Sequence, residues 1–419
     1  MRRLKLLQQL ARPSSSKILL WVFDGLGGLP HPTTQLSELE TAHIPHIHDF
    51  ARRSSCGVHE PAGPGITTGS GFGHLALFGY PVDDIELPRG VVEVLGSSFC
   101  YQDGKVSKLI ELKPDELAIR GNFASLRLDS DSGDYVVADR RASSITSQQS
   151  QALCELLSRE VSLPDASLRW YPGKKHRFSV VIRARGLGGP VSDSDPQQSG
   201  LAPLVVDALE PEATHTAELL NLLIQKVNQV LSKEDVADTI LLRGAGFLPE
   251  IPTLSELYGL NAAAIATYPV YKGVARQVGM DVLDVDGDSP EDQLRTLQSH
   301  YDEYDFFFFH IKATDSLAHK KDFAGKVAYF ERCDSLFAAA CDLGFDVVVL
   351  TGDHCTPSIM GAHSWHPVPT ALWSRTVFAG ETARFTERAC SLGTLGIRQA
   401  RDLMSLMLAE AGRLKAYGP

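Results

Sequence analysis

The stretch Ile18–Gly28, ILLWVFDGLGG, decides the fold. Six consecutive apolar residues with no polar alternation describe a strand buried on both faces, the pattern of parallel sheets covered by helices on each side. Asp24 and the glycines at 25, 27 and 28 follow at once. Two further runs repeat the arrangement: FFFFHI, Phe306–Ile311, leads to Asp315, and Val347–Leu350 leads to Asp353 and His354. VPTALW near residue 370 is a fourth candidate strand. Helical periodicity lies between these runs, as in Val327–Leu343, where Val327, Phe330, Phe337 and Cys341 recur near every 3.6 residues. Apolar strands alternating with helices predict an α/β domain with a largely parallel central sheet. Ligands of such sheets collect beyond the carboxyl ends of the strands. One aspartate after a strand is ordinarily a turn or cap residue; three of them, accompanied by histidines, point to a shared site.

The middle of the chain reads differently. From about residue 113 to 295 the apolar runs shorten: YVVAD at 135–139, RFSVVIRARGLGG from 177, and an amphipathic helix around Ala217–Leu231. This predicts a smaller α+β domain, 113–295, inserted between two pieces of the first, 17–112 and 296–419. The basic start, MRRLKLLQQLARPSSSK, lacks an apolar core with a cleavage site and reads as a flexible extension over 1–16.

The 419-residue chain is 43% hydrophobic and 22% charged, ordinary for a globular protein, and no apolar run approaches the length of a membrane span. A formal charge of −11 argues against a nucleic-acid partner, but local arginines and metal ions can still draw a small anion into a cleft. Seven dispersed cysteines with no CxxC pair suggest free thiols in a reducing compartment, hence the cytoplasm.

The chemistry concentrates in four segments. HIKATDSLAH sets Asp315 and His319 four residues apart, one face of a helical turn. TGDHCTP supplies adjacent Asp353 and His354, and GAHSWHPVP supplies His363 and His366. With Asp24 these exceed what one tetrahedral site needs. Carboxylates with neutral imidazoles suit zinc, manganese or iron, whereas an all-oxygen site favours magnesium or calcium. The fourth segment, PAGPGITTGSGFGHLALFGY, places hydroxyls among glycines ahead of an apolar run. A serine there would sit near a helix N-terminus, where amide dipoles favour phosphate. It lacks the Gly-Lys-Ser or Gly-Lys-Thr ending of a P-loop.

In their order and spacing FDGLGG, AGPGITTGSGFGHLALFGYP, HIKATDSLAH, TGDHCTP, HSWHPVP and FTERACSLGTLG resemble the archaeal-type 2,3-bisphosphoglycerate-independent phosphoglycerate mutases of the alkaline-phosphatase superfamily. The matches run from about Phe23 to Gly396. The resemblance implies an alkaline-phosphatase-like core and interconversion of 3-phosphoglycerate and 2-phosphoglycerate through phosphoserine. It implies two divalent metals, Mn²⁺ or Zn²⁺ with Mg²⁺ as a third choice, and no 2,3-bisphosphoglycerate requirement.

Carried over residue by residue, Asp24, Ser70, Asp353 and His354 surround one ion, with Ser70 as the nucleophile, and Asp315, His319 and His363 hold the other. Arg120, Asn122, Asp139, Arg140, Arg141, Arg185 and Lys272 are implied to bind substrate. His74, Lys312 and His366 are implied to stand behind the ligands or face the substrate. Departures are Gly71, where relatives carry aspartate, Ser143 and Ser144 in place of a Gly-Arg-like continuation, and KKD after His319. The same parts would also serve a metal-dependent phosphomonoesterase or another phosphomutase; a catalytically silent homologue is disfavoured because the proposed ligands are all kept.

Overall fold

The computed structural model describes residues 2–100, 107–142 and 145–418, and its chain divides into two compact units, 1–86 with 251–419, and 87–250. Ser143 and Ser144 lie outside the described residues.

The first unit is built on an eight-stranded sheet in the order Asp281–Val282, Ala262–Ile265, Phe306–Ile311, Ile18–Phe23, Val347–Thr351, Val368–Ser374, Ser55–Glu60, Gly396–Gln399. Its first five strands are mutually parallel, and Val368–Ser374 runs antiparallel to both neighbours. Ile18–Phe23 lies between Phe306–Ile311 and Val347–Thr351, and every residue of these three strands is buried. That is why they read as unbroken apolar runs: parallel strands covered on both faces have no solvent side to mark with polar residues.

Strand alternation separates the two faces. Trp21, Phe23 and Phe309 point one way, where Trp21 stacks on Phe309 with ring centroids 4.0 Å apart and Phe330 and Phe337 of the helix Phe323–Cys341 meet them edge-on. Phe308 and His310 point the other way, toward His74 and Phe78 of the segment that begins with the helix Ser70–Leu77. Adjacent central strands therefore end together, and their carboxyl ends deliver Asp24 and the segments carrying Asp315 and Asp353 to one edge.

The second unit holds an antiparallel sheet in the order Tyr135–Asp139, Leu117–Leu128, Arg177–Ala184, Ala166–Pro172, with Thr239–Gly246 also paired to Leu117–Leu128. The helices Ser147–Glu160 and Thr214–Leu231 pack on it around Leu153, Leu157, Leu220, Leu223 and Phe178.

Three expectations are corrected. The second unit begins at 87 and ends at 250, not 113 and 295. Residues 262–265 hydrogen-bond to Phe306–Phe309 in the central sheet, which assigns the preceding and following helices to the first unit. At the other boundary, Gly90 packs so tightly on the strands of the second unit that a Cβ would lie 2.6 Å from the Ala118 and Gly244 carbonyl oxygens. The N-terminal extension is not loose: Arg2–Leu10 is a helix with Leu4 and Leu7 buried, tied down by Gln8 Nε2 to the Glu256 carbonyl and Arg3 to Ser405. Its two leucines fall on one face, enough to dock the brief amphipathic helix that this basic stretch also allowed. Among the described residues no helix is long and apolar enough to cross a membrane.

Candidate active site

Two triads of potential ligands lie at this edge: Asp24, Asp353 and His354, and Asp315, His354 and His363, each with its ligand atoms within 4.8 Å of one another. His354 belongs to both, and its ring stacks on that of His363 at 3.7 Å. Ser70 Oγ stands 3.1 Å from His354 Nε2 at the start of the helix Ser70–Leu77. That helix approaches closely because Gly73 has no side chain; a Cβ there would sit 2.6 Å from the Asp353 carbonyl oxygen. Gly25, at φ +64°, makes the turn after Asp24 where a Cβ would strike Thr356 Oγ1 at 2.5 Å.

Hydrogen bonds fix which way the imidazoles face. His363 Nδ1 donates to the Thr68 carbonyl at 3.0 Å and His319 Nδ1 to the Gly361 carbonyl at 3.0 Å. Thr356 Oγ1 gives its proton to Asp315 Oδ1 at 2.9 Å, so it must accept from His354 Nδ1 at 3.1 Å. Each ring is thereby left with an Nε2 lone pair turned toward the carboxylates, the arrangement by which neutral histidines hold metal. His354 Nε2 lies 3.2 Å from Asp353 Oδ2 and 3.6 Å from Asp24 Oδ1. Both carboxylate oxygens are buried without a hydrogen-bond donor. Lone pairs converging on lone pairs in a buried site call for a cation between them, so the residues fit a metal pair.

Electrostatics agree for Asp353 and His354, whereas at His363 burial acts downward but the hydrogen bonds to Asp315 and the Thr68 carbonyl outweigh it and raise the imidazole. Burial, and then the neighbouring Asp24, push Asp353 up to about 7. Burial pushes His354 down to about 3, keeping it neutral. For Asp24 burial acts upward, but the Lys312 charge and His310 outweigh it and hold the carboxyl well below its usual range. Lys312 Nζ bridges the two aspartates, 3.1 Å from Asp24 Oδ2 and 2.5 Å from Asp315 Oδ2.

The grouping differs in part from the expected one. His319 Nε2 is 3.4 Å from Asp315 Oδ1 but completes neither triad, being largely exposed and anchored at its other nitrogen. His366 is turned to Ser364 and stands outside both. His74 is buried, donates to the Ser70 carbonyl at 2.7 Å and lies 3.3 Å from Asp353 Oδ2, behind the ligands.

Several residues were missed. Lys326 is fully buried and donates to the carbonyls of Gly25 (2.9 Å), Gly27 (3.3 Å) and Thr356 (2.9 Å), stapling the Asp24 turn to the segment after His354. Glu38 accepts from Ser358 N, and Glu387 from Gly28 N and Ser37 Oγ, so a buried polar layer supports both ligand loops. His310, at the end of FFFFHI, lies 3.2 Å from Asp24 Oδ2; a histidine inside a wholly apolar strand was the available signal. Lys272, expected to bind substrate, is partly buried on the helix Pro269–Gln277, next to a buried Tyr271.

The basic residues of the second unit form a set of their own. Arg120 Nη1 pairs with Glu93 at 3.0 Å while its buried Nε lacks a partner, and nearby Asn122 Oδ1 is likewise buried and unmatched. Arg89, Arg177 and Arg243 add their charges around Arg120, and Arg120, Arg141 and Arg177 act on His176. Arg140 forms a two-pronged ion pair with buried Asp195, at 2.8 and 2.6 Å. Arg141 is exposed and its amide bonds Asp139 Oδ1. Arg185 does not join them. It follows the opposite end of the strand Arg177–Ala184 from Arg177, roughly 26 Å away at 3.3 Å per residue, and lines a cleft with Asp165 and Arg183.

Comparison with known proteins adds the reaction class. A family model described as 2,3-bisphosphoglycerate-independent phosphoglycerate mutase matches residues 51–237. A Thermus thermophilus protein named as a probable enzyme of that kind is 42% identical over 415 residues, 98% of each chain. An Aquifex aeolicus protein of the same name is 40% identical over 417 residues, covering 98% of this chain and 99% of its own. Among solved structures, a Pyrococcus horikoshii protein superposes with a TM-score of 0.79 at 26% identity, covering 96% of this chain and 99% of its own. The cofactor-independent phosphoglycerate mutase of Thermoplasma acidophilum superposes with a TM-score of 0.70 at 26% identity, covering 95% and 100%. The chain belongs to the 2,3-bisphosphoglycerate-independent phosphoglycerate mutase family.

Proposed function

We propose that this chain interconverts 3-phosphoglycerate and 2-phosphoglycerate through a phosphoserine on Ser70, without 2,3-bisphosphoglycerate, as an archaeal-type member of the family. The observation that carries the reading is Ser70 Oγ 3.1 Å from His354 Nε2, the imidazole common to both ligand triads. Asp24, Ser70, Asp353 and His354 would hold one divalent cation and Asp315, His319 and His363 the other. Mixed nitrogen and oxygen donors suit Mn²⁺ or Zn²⁺, with Mg²⁺ third. Two such ions ease ionisation of a serine hydroxyl and neutralise charge on a transferring phosphoryl group.

The protein's own residues supply the rest. Ser70 donates its proton toward His354 Nε2, which points Oγ into the cluster. Lys312 holds Asp24 and Asp315 together and presents a fixed positive charge beside them. Between the two transfers glycerate has to be retained and turned so that its other hydroxyl meets phosphoserine. Guanidinium groups bind carboxylates with two parallel hydrogen bonds. We assign this task to Arg120, Asn122, Asp139, Arg140 and Arg141, and phosphate binding to Lys272. Arg185 is left out of the set because its strand carries it away from the others. The free thiols of Cys56, Cys154, Cys333, Cys341, Cys355 and Cys390 fit a cytoplasmic enzyme acting on a soluble metabolite.

The test supplies purified protein with Mn²⁺ and 3-phosphoglycerate and follows 2-phosphoglycerate and inorganic phosphate together. Isomerisation with little free phosphate, needing no 2,3-bisphosphoglycerate and abolished by chelation, is expected. Stoichiometric phosphate release would make the chain a phosphomonoesterase instead, and undiminished turnover after verified removal of metal would defeat the metal assignment.

A further inference from the structure

One buried hydroxyl that the mechanism has not used faces the nucleophile. Tyr271, on the helix Pro269–Gln277, is 2% exposed, and its Oη lies 3.5 Å from Ser70 Oγ. The ring is held by two imidazoles: it stacks on His310 with centroids 3.8 Å apart and planes 25° from parallel, and His74 lies 5.0 Å away at a tilt of 53°. A phenol locked this way presents its hydroxyl in one direction at little entropic cost.

The proton of that hydroxyl has two acceptors within reach, Ser70 Oγ and the Asp24 carboxylate. Ser70 Oγ is the one at hydrogen-bond distance, and Asp24 takes Lys312 Nζ at 3.1 Å and faces His310 at 3.2 Å on its Oδ2. Ser70 Oγ directs its own proton to His354 and has lone pairs to spare. The three groups thus form a chain, Tyr271 O–H to Ser70 O–H to His354 Nε2.

Resting on the phosphoserine reading, we propose that Tyr271 is a further catalytic residue, a neutral donor whose hydrogen bond stabilises Ser70 Oγ whenever that oxygen carries no phosphoryl group. The step that needs it most is the second transfer. The bond from phosphorus to the acceptor hydroxyl oxygen forms, the Oγ–P bond breaks, and the electron pair of the broken bond stays on Oγ. The leaving oxygen of the first transfer takes up the proton that Ser70 gives up, and Oγ takes up the one that the acceptor hydroxyl gives up in the second, so the cycle is proton-neutral and Tyr271 keeps its own. An ester oxygen is a poor acceptor and an oxyanion a strong one, so the bond strengthens as Oγ is released. Only interactions stronger in the transition state than in the ground state raise the rate.

Tyr271→Phe keeps the ring and its stacking and removes only the hydroxyl. In the Mn²⁺-loaded enzyme acting on 3-phosphoglycerate, kcat should fall roughly 10- to 100-fold, below the full loss typical of an oxyanion donor because 3.5 Å is long. KM should not rise, and should fall with kcat as phosphoserine accumulates, since the hydroxyl faces the nucleophile (a raised KM belongs to groups that hold the substrate). Acid-quenched samples with phosphorus-labelled substrate should show a larger share of the enzyme as phosphoserine at steady state. Tyr80→Phe is the matched control: it deletes a buried hydroxyl bonded to the Pro252 carbonyl at 2.5 Å and should lower thermal stability while leaving kcat unchanged. Wild-type kcat and phosphoserine share in Tyr271→Phe would overturn the proposal. So would a fall in kcat matched by an equal loss of bound Mn²⁺, which would make Tyr271 a support for Asp24. A wild-type chain that isomerises nothing would instead remove the proposed function, and this inference with it.

Discussion

The two units handle buried charge in opposite ways. In the first, Asp24, Asp353 and His354 are buried side by side, with two carboxylate oxygens facing an imidazole lone pair and no donor to satisfy them. In the second, the most deeply buried acid, Asp195, is matched by a two-pronged bond from Arg140 and an amide bond from Gln197. A buried charge without partners is costly, and evolution tolerates it where a ligand completes the set. The contrast teaches where each unit waits for something. The first has only Lys312 to set against the acids of its ligand triads, and the second gathers Arg89, Arg177 and Arg243 around Arg120.

The sharpest way to break that contrast is to remove the atom the first unit is organised around. Ser70→Ala should keep the fold and at least one metal, yet form no phosphoprotein and convert neither phosphoglycerate isomer. Quenching with labelled substrate and mapping the peptide checks this directly; label on another residue of the wild type, with normal isomerisation by the variant, would rule Ser70 out.

Removing the support is the next test. Lys326 has no solvent contact and spends its three protons on carbonyls of both ligand loops. Lys326→Met fills similar volume and cannot donate, so the Asp24 turn and the segment after His354 should drift apart. Metal affinity should fall roughly 10- to 100-fold, the usual cost of losing a group that orients ligands. Titration of the metal-free protein with Mn²⁺ reads this without any turnover, and unchanged affinity would show the staple to be dispensable.

These two tests also separate what the chain announced from what it concealed. Asp24, Asp315 and Asp353 were legible because each follows a wholly apolar strand, a local signal, and parallel strands bring such ends together. Lys326 and Tyr271 were not. A lysine on a helix reads as solvent-facing, and only the tertiary placement of Gly25 and Thr356 gives it acceptors. Arg185 misled for the complementary reason: its motif is local, but strand direction, which composition does not encode, sends it away from Arg177. The boundary at 250 was equally invisible, since residues 262–265 are short, apolar and featureless until they pair with Phe306–Phe309.

Within the second unit, Arg140 and Arg141 are adjacent in sequence and opposite in circumstance. Arg140 neutralises buried Asp195, so Arg140→Ala strands a carboxylate. The cost should be about 2 kcal/mol, below that of a fully buried pair because Arg140 is partly exposed and Arg243 stands 3.8 Å from Asp195. Exposed Arg141 has no such duty, and Arg141→Ala should leave stability unchanged while raising KM several-fold. Urea unfolding and steady-state kinetics on both variants test the distinction, and equal stability losses would erase it.

The smallest expected effect is acid sensitivity lodged in the first unit away from the ligand triads. His59 lies on the strand Ser55–Glu60, fully buried, with its Nε2 donating to the Gly352 carbonyl at 2.9 Å. Burial pushes it down to about 4, against an ordinary value of 6.5. The folded chain therefore resists protonating His59 while the unfolded chain does not. Its contribution to stability is fully present above pH 6.5 and is lost as pH falls toward 4. One unit below 6.5 the loss should be about 1.4 kcal/mol. His59→Gln offers an amide that can donate to the same carbonyl and does not titrate. Chemical denaturation of chelated protein at pH 7.5 and 5.5 should show a smaller drop for the variant than for wild type, by roughly that amount. Parallel pH profiles for the two proteins would mean that His59 is protonated in the fold without penalty, and that the acid sensitivity of this unit lies with other groups.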